Sequence, residues 1–268
     1  GMDYIPPEAR ENTGEIEWAL KKAFPRLVER SDLRGVFHVH STYSDGHAAL
    51  EDMIQKAEDM GFEYVGISDH SQSAAYANGL KPERLKEQWK EIDRLQKKFK
   101  IRIFKGIESD ILPNGDLDYE EGMLRNFDFV IGSIHSRFNM TEEEMTRRVL
   151  RAMENKYLTF VGHPTGRLLL SRQSIKLDIG KLIAQAKVTG AVIELNSQPR
   201  RLDLDWRHCR EAKERGVPLC VNPDAHSIEG MEFIEYGTGI ARKAWLEKKD
   251  VVNTMTVAEI EKFLKKRK

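Results

Sequence analysis

From residue 34 onward, short runs of apolar and β-branched residues alternate with longer charged stretches whose apolar positions recur at helical spacing. Seven runs read as strands: Gly35–Val39, Tyr64–Ser68, Arg102–Ile107, Phe127–Gly132, Leu158–Gly162, Ala191–Leu195 and Pro218–Asn222. Helices are predicted between most of them, over Leu50–Met60, Pro82–Phe99, Thr141–Asn155, Ile179–Thr189 and Trp206–Arg215. Gly61, Gly190 and Gly216 follow three of these helices directly, where a left-handed C-cap favours glycine. A strand-helix unit repeated without a break in composition predicts one parallel α/β domain. Its length and repeat number favour a TIM-like (β/α)7 barrel over two smaller domains. An open doubly wound sheet would give the same alternation, so the pattern alone leaves closure unsettled. The first 33 residues carry Pro6-Pro7 and then Ile16, Leu20, Phe24 and Leu27 at the spacing of one amphipathic helix. The expected organisation is therefore a helical lead-in over 1–33 and the main domain over 34–268. Gly1 reads as a cloning residue ahead of an initiator Met2.

Composition narrows the function classes. The 268 residues include 43 Lys+Arg and 43 Asp+Glu, a formal net charge of zero. A dedicated nucleic-acid binder usually carries a basic excess over its whole domain, so any contact with DNA is expected to be local. At 40% hydrophobic and 32% charged residues the chain can afford a core and is expected to be globular. Its two cysteines, Cys209 and Cys220, form no C-x-x-C pair and read as packing residues in a reducing cytoplasm. No stretch approaches the roughly 20 apolar residues of a membrane helix, and the N-terminus lacks a secretory layout. The basic tail of Lys262, Lys265, Lys266, Arg267 and Lys268 reads as the solvated end of a last helix, favoured by its dipole.

The chemistry gathers where the strands end. His38 and His40 lie two apart at the end of the first strand, so their imidazoles can share a face. Asp45 follows in a Ser-Asp-Gly turn. Later strands run into His70, Glu108, His135, His163, and Asp224 with His226. Six of the eight histidines thus fall at predicted C-terminal strand ends, where parallel barrels build their active sites. Imidazole suits first-row divalent metals, and carboxylates can bridge two of them. Nine donors (His38, His40, Asp45, His70, Glu108, His135, His163, Asp224, His226) exceed the four of one tetrahedral zinc, so two or three ions of manganese, zinc or iron are expected. Asp45 has an alternative reading, as an acceptor that orients an imidazole. Asp69 reads either as a hydrogen-bonding residue behind the donors or as a cap, and His47 and His208 as ordinary residues. Arg137, Arg167, Arg200 and Arg201 follow predicted strands and are candidates for binding substrate phosphate; Asn196 is a candidate for the leaving group. Tyr76 and the Asn78-Gly79 turn, in the loop after His70, are candidates for the rim.

These motifs carry a resemblance. His38-Val39-His40 with Ser44-Asp45-Gly46, Ser68-Asp69-His70, Gly106-Ile107-Glu108, His135, Gly162-His163-Pro164 and Asp224-Ala225-His226 resemble, in order, the motifs of the PHP (polymerase and histidinol phosphatase) family. The stretches Gly166–Leu170, Glu194–Trp206 and Asn222–Ser227 are similar to the C-terminal PHP domain of bacterial family X DNA polymerases, and Tyr4–Glu8 resembles the linker before it. The resemblance spans essentially the whole chain. It implies a distorted seven-stranded barrel with a trinuclear metal site and a manganese-supported 3′–5′ exonuclease or 3′-phosphatase. It also implies a polymerase as partner or parent chain, since the nucleotidyltransferase part and its DNA-gripping modules are absent from these 268 residues. The alternatives are a small-molecule phosphatase of the histidinol-phosphate type and a catalytically silent module. For the ions, the expectation is His38, His40 and Asp224 around one, Asp45, His70 and His226 around a second, Glu108 bridging, and His135 with His163 holding a third. Glu108, Asp224 and His226 are expected at the catalytic centre.

Overall fold

The computed structural model describes residues 1–266; Arg267 and Lys268, the end of the basic tail, lie outside the described residues. Seven strands, β1 (Gly35–Val36), β2 (Tyr64–Ile67), β3 (Arg102–Asp110), β4 (Phe129–Ser133), β5 (Phe160–Val161), β6 (Val192–Asn196) and β7 (Leu219–Asn222), pair in parallel in chain order. Around them run α1 (Glu15–Leu20), α2 (Leu50–Asp59), α3 (Pro82–Gln96), α4 (Glu121–Leu124), α5 (Glu142–Met153), α6 (Ile179–Thr189), α7 (Trp206–Glu214), α8 (Ile234–Lys243) and α9 (Val257–Lys266). This is the (β/α)7 barrel that the repeat predicts, with the distortion that the resemblance implies.

Closure is incomplete and has an identifiable cause. No ladder joins β7 to β1. Instead Val39 and Ala225 form a single bridge beyond the strand ends, with the Ala225 N–H donating to His38 O at 3.1 Å and the His40 N–H to Ala225 O at 2.9 Å. Lower in the seam the buried Asn253 amide replaces the missing ladder. Its Nδ2 donates to Gly35 O (2.9 Å) and Val221 O (2.7 Å), and its Oδ1 accepts from the Val221 N–H (3.1 Å). β1 is shorter than its predicted span because Phe37 packs with the inner aromatics while the adjacent His38 also meets inner carboxylates. The two-residue alternation slips there, and ladder geometry ends at Val36.

Along the other strands the inward row reads apolar, then small or polar, toward the C-terminal end: Tyr64, Gly66, Ser68; Phe104, Gly106, Glu108; Val192, Glu194, Asn196; Cys220, Asn222, Asp224. Phe37, Tyr64, Phe104, Phe129 and Phe160 make an aromatic floor, and Ile260 and Leu264 of α9 close it from the N-terminal end. Gly106 is obligatory above that floor, since a Cβ there would lie 2.1 Å from the Phe129 ring. The polar ends of the rows then stand on a dry, packed base.

The lead-in differs from its pattern. α1 stops at Leu20, Lys22 turns to φ 53°, and Pro25 disfavours helix at Phe24. Ile16 and Leu20 are exposed, whereas Ala19 is buried with Ile5, Ala9, Leu27 and Trp245. The helical spacing of Ile16, Leu20, Phe24 and Leu27 therefore runs across a short helix and an irregular segment, with Leu27 in an isolated bridge to Glu247. α8 escaped the periodicity because it contains Gly237 and Gly239, poor helix formers; a Cβ at Gly237 would lie 1.9 Å from Ser197 Oγ.

Asn253→Ala would strip partners from Val221 N–H and Gly35 O in the buried seam and lower the unfolding free energy by about 2–4 kcal/mol. Urea unfolding of the metal-free protein measures this; an unchanged midpoint would show that the seam does not depend on the amide.

Candidate metal centre

All nine sequence-predicted donors come together at the C-terminal mouth of the barrel. His38 and His40 follow β1, His70 follows β2, Glu108 stands in β3, His135 follows β4, His163 follows β5, and Asp224 and His226 follow β7. His163 and Asp224 sit at φ 24° and 51°, a left-handed backbone that costs energy in non-glycine residues and often accompanies functional sites.

Glu108 is the hub. Its Oε1 lies 3.3 Å from His38 Nε2, 3.3 Å from His135 Nε2 and 2.9 Å from His163 Nε2. Its Oε2 lies 3.0 Å from His70 Nδ1 and 3.6 Å from His40 Nε2. One carboxylate thus faces two sets of imidazoles through its two oxygens. Among the described residues, donor atoms close enough to share one ion form four groups: His40, Asp45, His70 and His226; His38, His163 and Asp224; His38, His40 and Glu108; and His70, Glu108 and His135. His40 accordingly also joins the Asp45 group, rather than only His38 and Asp224, and His163 joins His38. Asp45 lies 3.3 Å from His226 Nε2 and 3.6 Å from His70 Nε2, inside a donor group.

These residues fit divalent ions on physical grounds. His38 Nε2, both ring nitrogens of His40, His70 Nδ1, His163 Nδ1 and Glu108 Oε2 are buried without a hydrogen-bond partner. Buried polar atoms are normally paired, and leaving each one unpaired is costly. Divalent ions among these groups would take up the one lone-pair nitrogen that each neutral imidazole offers, and the Glu108 oxygen. Burial, followed by the nearby His226 and His70, pulls the His40 imidazole down to about 3, so it is neutral and ready to ligate. Burial opposes protonation of His135 as well, yet Glu108 and Asp110 hold it up to about 9; Asp45 and Asp224 likewise hold His226 near 9. Burial works against ionisation of Glu108, but His135, His38 and His70 keep it well below the usual carboxylate range. An ion would take the place of the protons that now balance these carboxylates.

A supporting layer that the sequence reading missed orients the donors. Glu194, fully buried, lies 2.6 Å from His38 Nδ1 and accepts from the His163 N–H (2.6 Å), Asn222 Nδ2 (3.0 Å) and Asn196 Nδ2 (3.1 Å). Asp110 lies 2.6 Å from His135 Nδ1. Carboxylates on the far nitrogen of a histidine fix its tautomer and raise its basicity toward a metal. The available signals were a charged residue inside the apolar run Val192–Leu195 and the two-residue step from Glu108 to Asp110. Asp69 caps no helix and bonds to no imidazole, but supports the site from behind the donors. It accepts from Ser41 N–H and Oγ (2.8 and 2.7 Å), Ser44 Oγ (2.5 Å) and Gln88 Nε2 (2.6 Å), tying down the loop that carries Asp45.

The phosphate candidates separate. Arg201 Nε lies 3.2 Å from Asp224 Oδ2, and its Nη1 is buried without a partner. Arg167 is instead committed to the protein, donating to Arg201 O and Leu202 O and pairing with Asp205 at 3.5 Å. Asn196 is fully buried, and its amide is spent on Glu194, Asp224 and the Gln198 N–H, so it positions ligands rather than reaching a leaving group. Arg137 and Arg200 are exposed. Tyr76 is exposed at the mouth, its ring 6.1 Å from His70 and 6.3 Å from His135. His47 and His208 stay outside the donor groups, and Cys209 and Cys220 are buried free thiols whose burial raises their pKa.

A barrel carrying this donor set at its C-terminal mouth defines a metal-dependent hydrolase. Residues 37–198 match the family model described as PHP domain, and the chain belongs to the PHP family. It is 43% identical over 267 residues, 99% of its length, to a Bacillus subtilis protein named DNA polymerase/3′-5′ exonuclease PolX, of which it covers 46%. The chain thus spans about half the length of that relative. It is also 28% identical over 251 residues to a probable phosphatase of Thermoanaerobacter sp., covering 86% of this chain and 94% of that protein. A Lactococcus lactis histidinol phosphate phosphatase, solved with zinc, L-histidinol and phosphate, superposes with a TM-score of 0.59 at 17% identity, over 79% of this chain and 93% of that one.

Replacing Glu194 with Gln is expected to weaken metal binding about 10–100-fold while the fold persists, because the far nitrogen of His38 loses its carboxylate. Titration of the metal-free protein with manganese reads this directly; unchanged affinity would remove Glu194 from the account.

Proposed function

We propose that the chain is a metal-dependent phosphoesterase acting on DNA 3′ ends, as a 3′–5′ exonuclease or 3′-phosphatase. The observation that carries this reading is the buried Glu108 carboxylate, one oxygen turned to each of two imidazole sets. One ion would be held by His40, Asp45, His70 and His226, a second by His38, His163 and Asp224, and His135 with Glu108 and His70 would serve a third. Two or three manganese, zinc or iron ions, when bound, supply a water of lowered pKa and positive charge for the phosphate. The protein's own contribution is geometric and electrostatic. Glu108, Asp224 and His226 keep their donor atoms converged, Asp110 and Glu194 hold the rings of His135 and His38, and the aromatic floor excludes bulk water from below. The unpartnered Nη1 of Arg201 would donate a charge-assisted hydrogen bond to a phosphate oxygen. Arg137 and Arg200, on the rim, meet outlying phosphates.

The DNA reading is supported by 43% identity across nearly the whole chain to a protein whose name includes an exonuclease. A second reading, a small-molecule phosphomonoesterase of the histidinol-phosphatase type, is favoured by the probable phosphatase whose length this chain nearly matches. The complete donor set weighs against a silent module, in which a ligand would have no reason to be retained. With zero net charge, DNA would be held weakly and in a salt-sensitive way. A polymerase, as partner or parent chain, would supply the missing grip. No helix among the described residues is long and apolar enough to cross a membrane, and two free buried thiols suit a reducing cytoplasm.

With manganese present, single-stranded and 3′-phosphorylated DNA should be hydrolysed and histidinol phosphate scarcely turned over. Glu108→Gln should lose more than about 100-fold in rate, beyond what a supporting residue typically costs. Preferred turnover of histidinol phosphate would replace the first reading by the second, and full activity of Glu108→Gln would defeat both.

A further inference from the structure

The turn between β5 and α6 projects its apolar residues into solvent. Leu170 is 110% exposed and Leu169 41% exposed, so neither adds appreciably to the core. Leu170 also sits at φ 62°, a conformation that Gly or Asn adopts readily and Leu does not. Neighbouring contacts hold the turn rigid. The Leu168 N–H donates to Arg172 O (2.9 Å) and the Arg172 N–H to Leu168 O (2.7 Å). The Arg172 guanidinium donates to Gly166 O (2.7 Å) and lies 4.2 Å over the Phe138 ring. An exposed leucine held in a costly conformation by its surroundings does nothing for folding, and that pairing is the mark of a residue kept for contact with something else.

Its place in the fold says what. The Leu169 N–H donates to Arg200 O at 2.6 Å, which fastens the turn to the segment whose next residue, Arg201, reaches Asp224 in the metal centre. Gly166 at the base of the turn donates to His163 O at 2.8 Å. The Tyr76 ring lies 6.1 Å from His70 and 6.3 Å from His135, and the turn is tied to His163 and to the segment that carries Arg201, so the turn and the exposed Tyr76 ring flank the same mouth. Apolar and aromatic side chains are thus presented beside a row of guanidinium groups at a phosphate-hydrolysing centre. That combination is complementary to a phosphate ester whose alcohol carries a flat ring, and a nucleic-acid strand end offers both parts.

Resting on the phosphoesterase reading, we infer that Leu169-Leu170 and Tyr76 form a clamp that grips the terminal base of a single-stranded nucleic acid and sets the preference of the site for nucleotide esters. Leu170→Gly tests it, because glycine relieves the positive φ and should leave thermal stability equal or higher. With manganese bound, the ratio of kcat/KM for a 3′-phosphorylated oligonucleotide to that for glycerol 3-phosphate should fall at least about fivefold, the scale of one lost apolar contact. An unchanged ratio would overturn the clamp. Should the wild-type protein hydrolyse neither ester, the phosphoesterase reading fails on its own, and fluorescence anisotropy of a labelled single-stranded oligonucleotide decides the clamp separately. Weaker binding by Leu170→Gly supports it, and equal binding or none by either protein, as expected if the leucines serve a protein partner, overturns it.

Discussion

A carboxylate buried at the centre of a barrel is the constraint on which the structure turns. Glu108 is almost fully shielded from water, where an isolated charge would be strongly disfavoured. It is tolerated because five imidazoles stand within 3.6 Å of it, and because His135, His38 and His70 among them meet Asp110, Glu194 and Asp45 in turn. Each layer answers a cost imposed by the one inside it. Without cations the arrangement holds unpaired ring nitrogens and protonated histidines in a dry site; with cations the same atoms become ligands.

The barrel is built to supply this environment. Inward rows that run from an apolar residue to a polar end, as Phe104, Gly106 and Glu108 do in β3, place the charge above an aromatic floor, and Gly66 and Gly106 leave room above that floor. The open seam between β7 and β1 matters too. His38 and His40 lie where β1 abandons ladder geometry, and Asp224 lies just past the end of β7, so the chain is free there to turn donors inward. Asn253 and the Val39–Ala225 bridge repair the seam on either side of that freedom.

Much of this could be read from residues alone, and the failures have physical reasons. The alternating runs located all seven strands, because parallel strands buried on both faces are continuous apolar runs bounded by helices. His and Asp at the run ends located the donors. Glu194 was missed because a charged residue inside an apolar run signals burial but not which face it takes, and only the neighbouring strands turn it toward the barrel interior. The grouping of His40 with Asp45, His70 and His226 depends on how the Ser41–Asp45 loop folds back, which Asp69 and Gln88 determine from two other elements. Arg167 illustrates the converse: an arginine at a strand end looked available for phosphate, but two backbone carbonyls and Asp205 occupy it. In α1, spacing over four apolar residues misled because Pro25 and a left-handed Lys22 interrupt the helix that the spacing assumed.

The neutral net charge acquires a narrower meaning in this light. Positive charge sufficient for a phosphate is expected to reside in bound ions and in Arg201 at the mouth, while the rest of the surface pairs its charges locally. The central claim is that Glu108 is shared between ions. Anomalous diffraction from crystals grown with manganese tests it most directly. The account predicts at least two peaks, with Glu108 Oε1 and Oε2 ligating different ions; a single peak, or peaks that leave Glu108 uncoordinated, would contradict it.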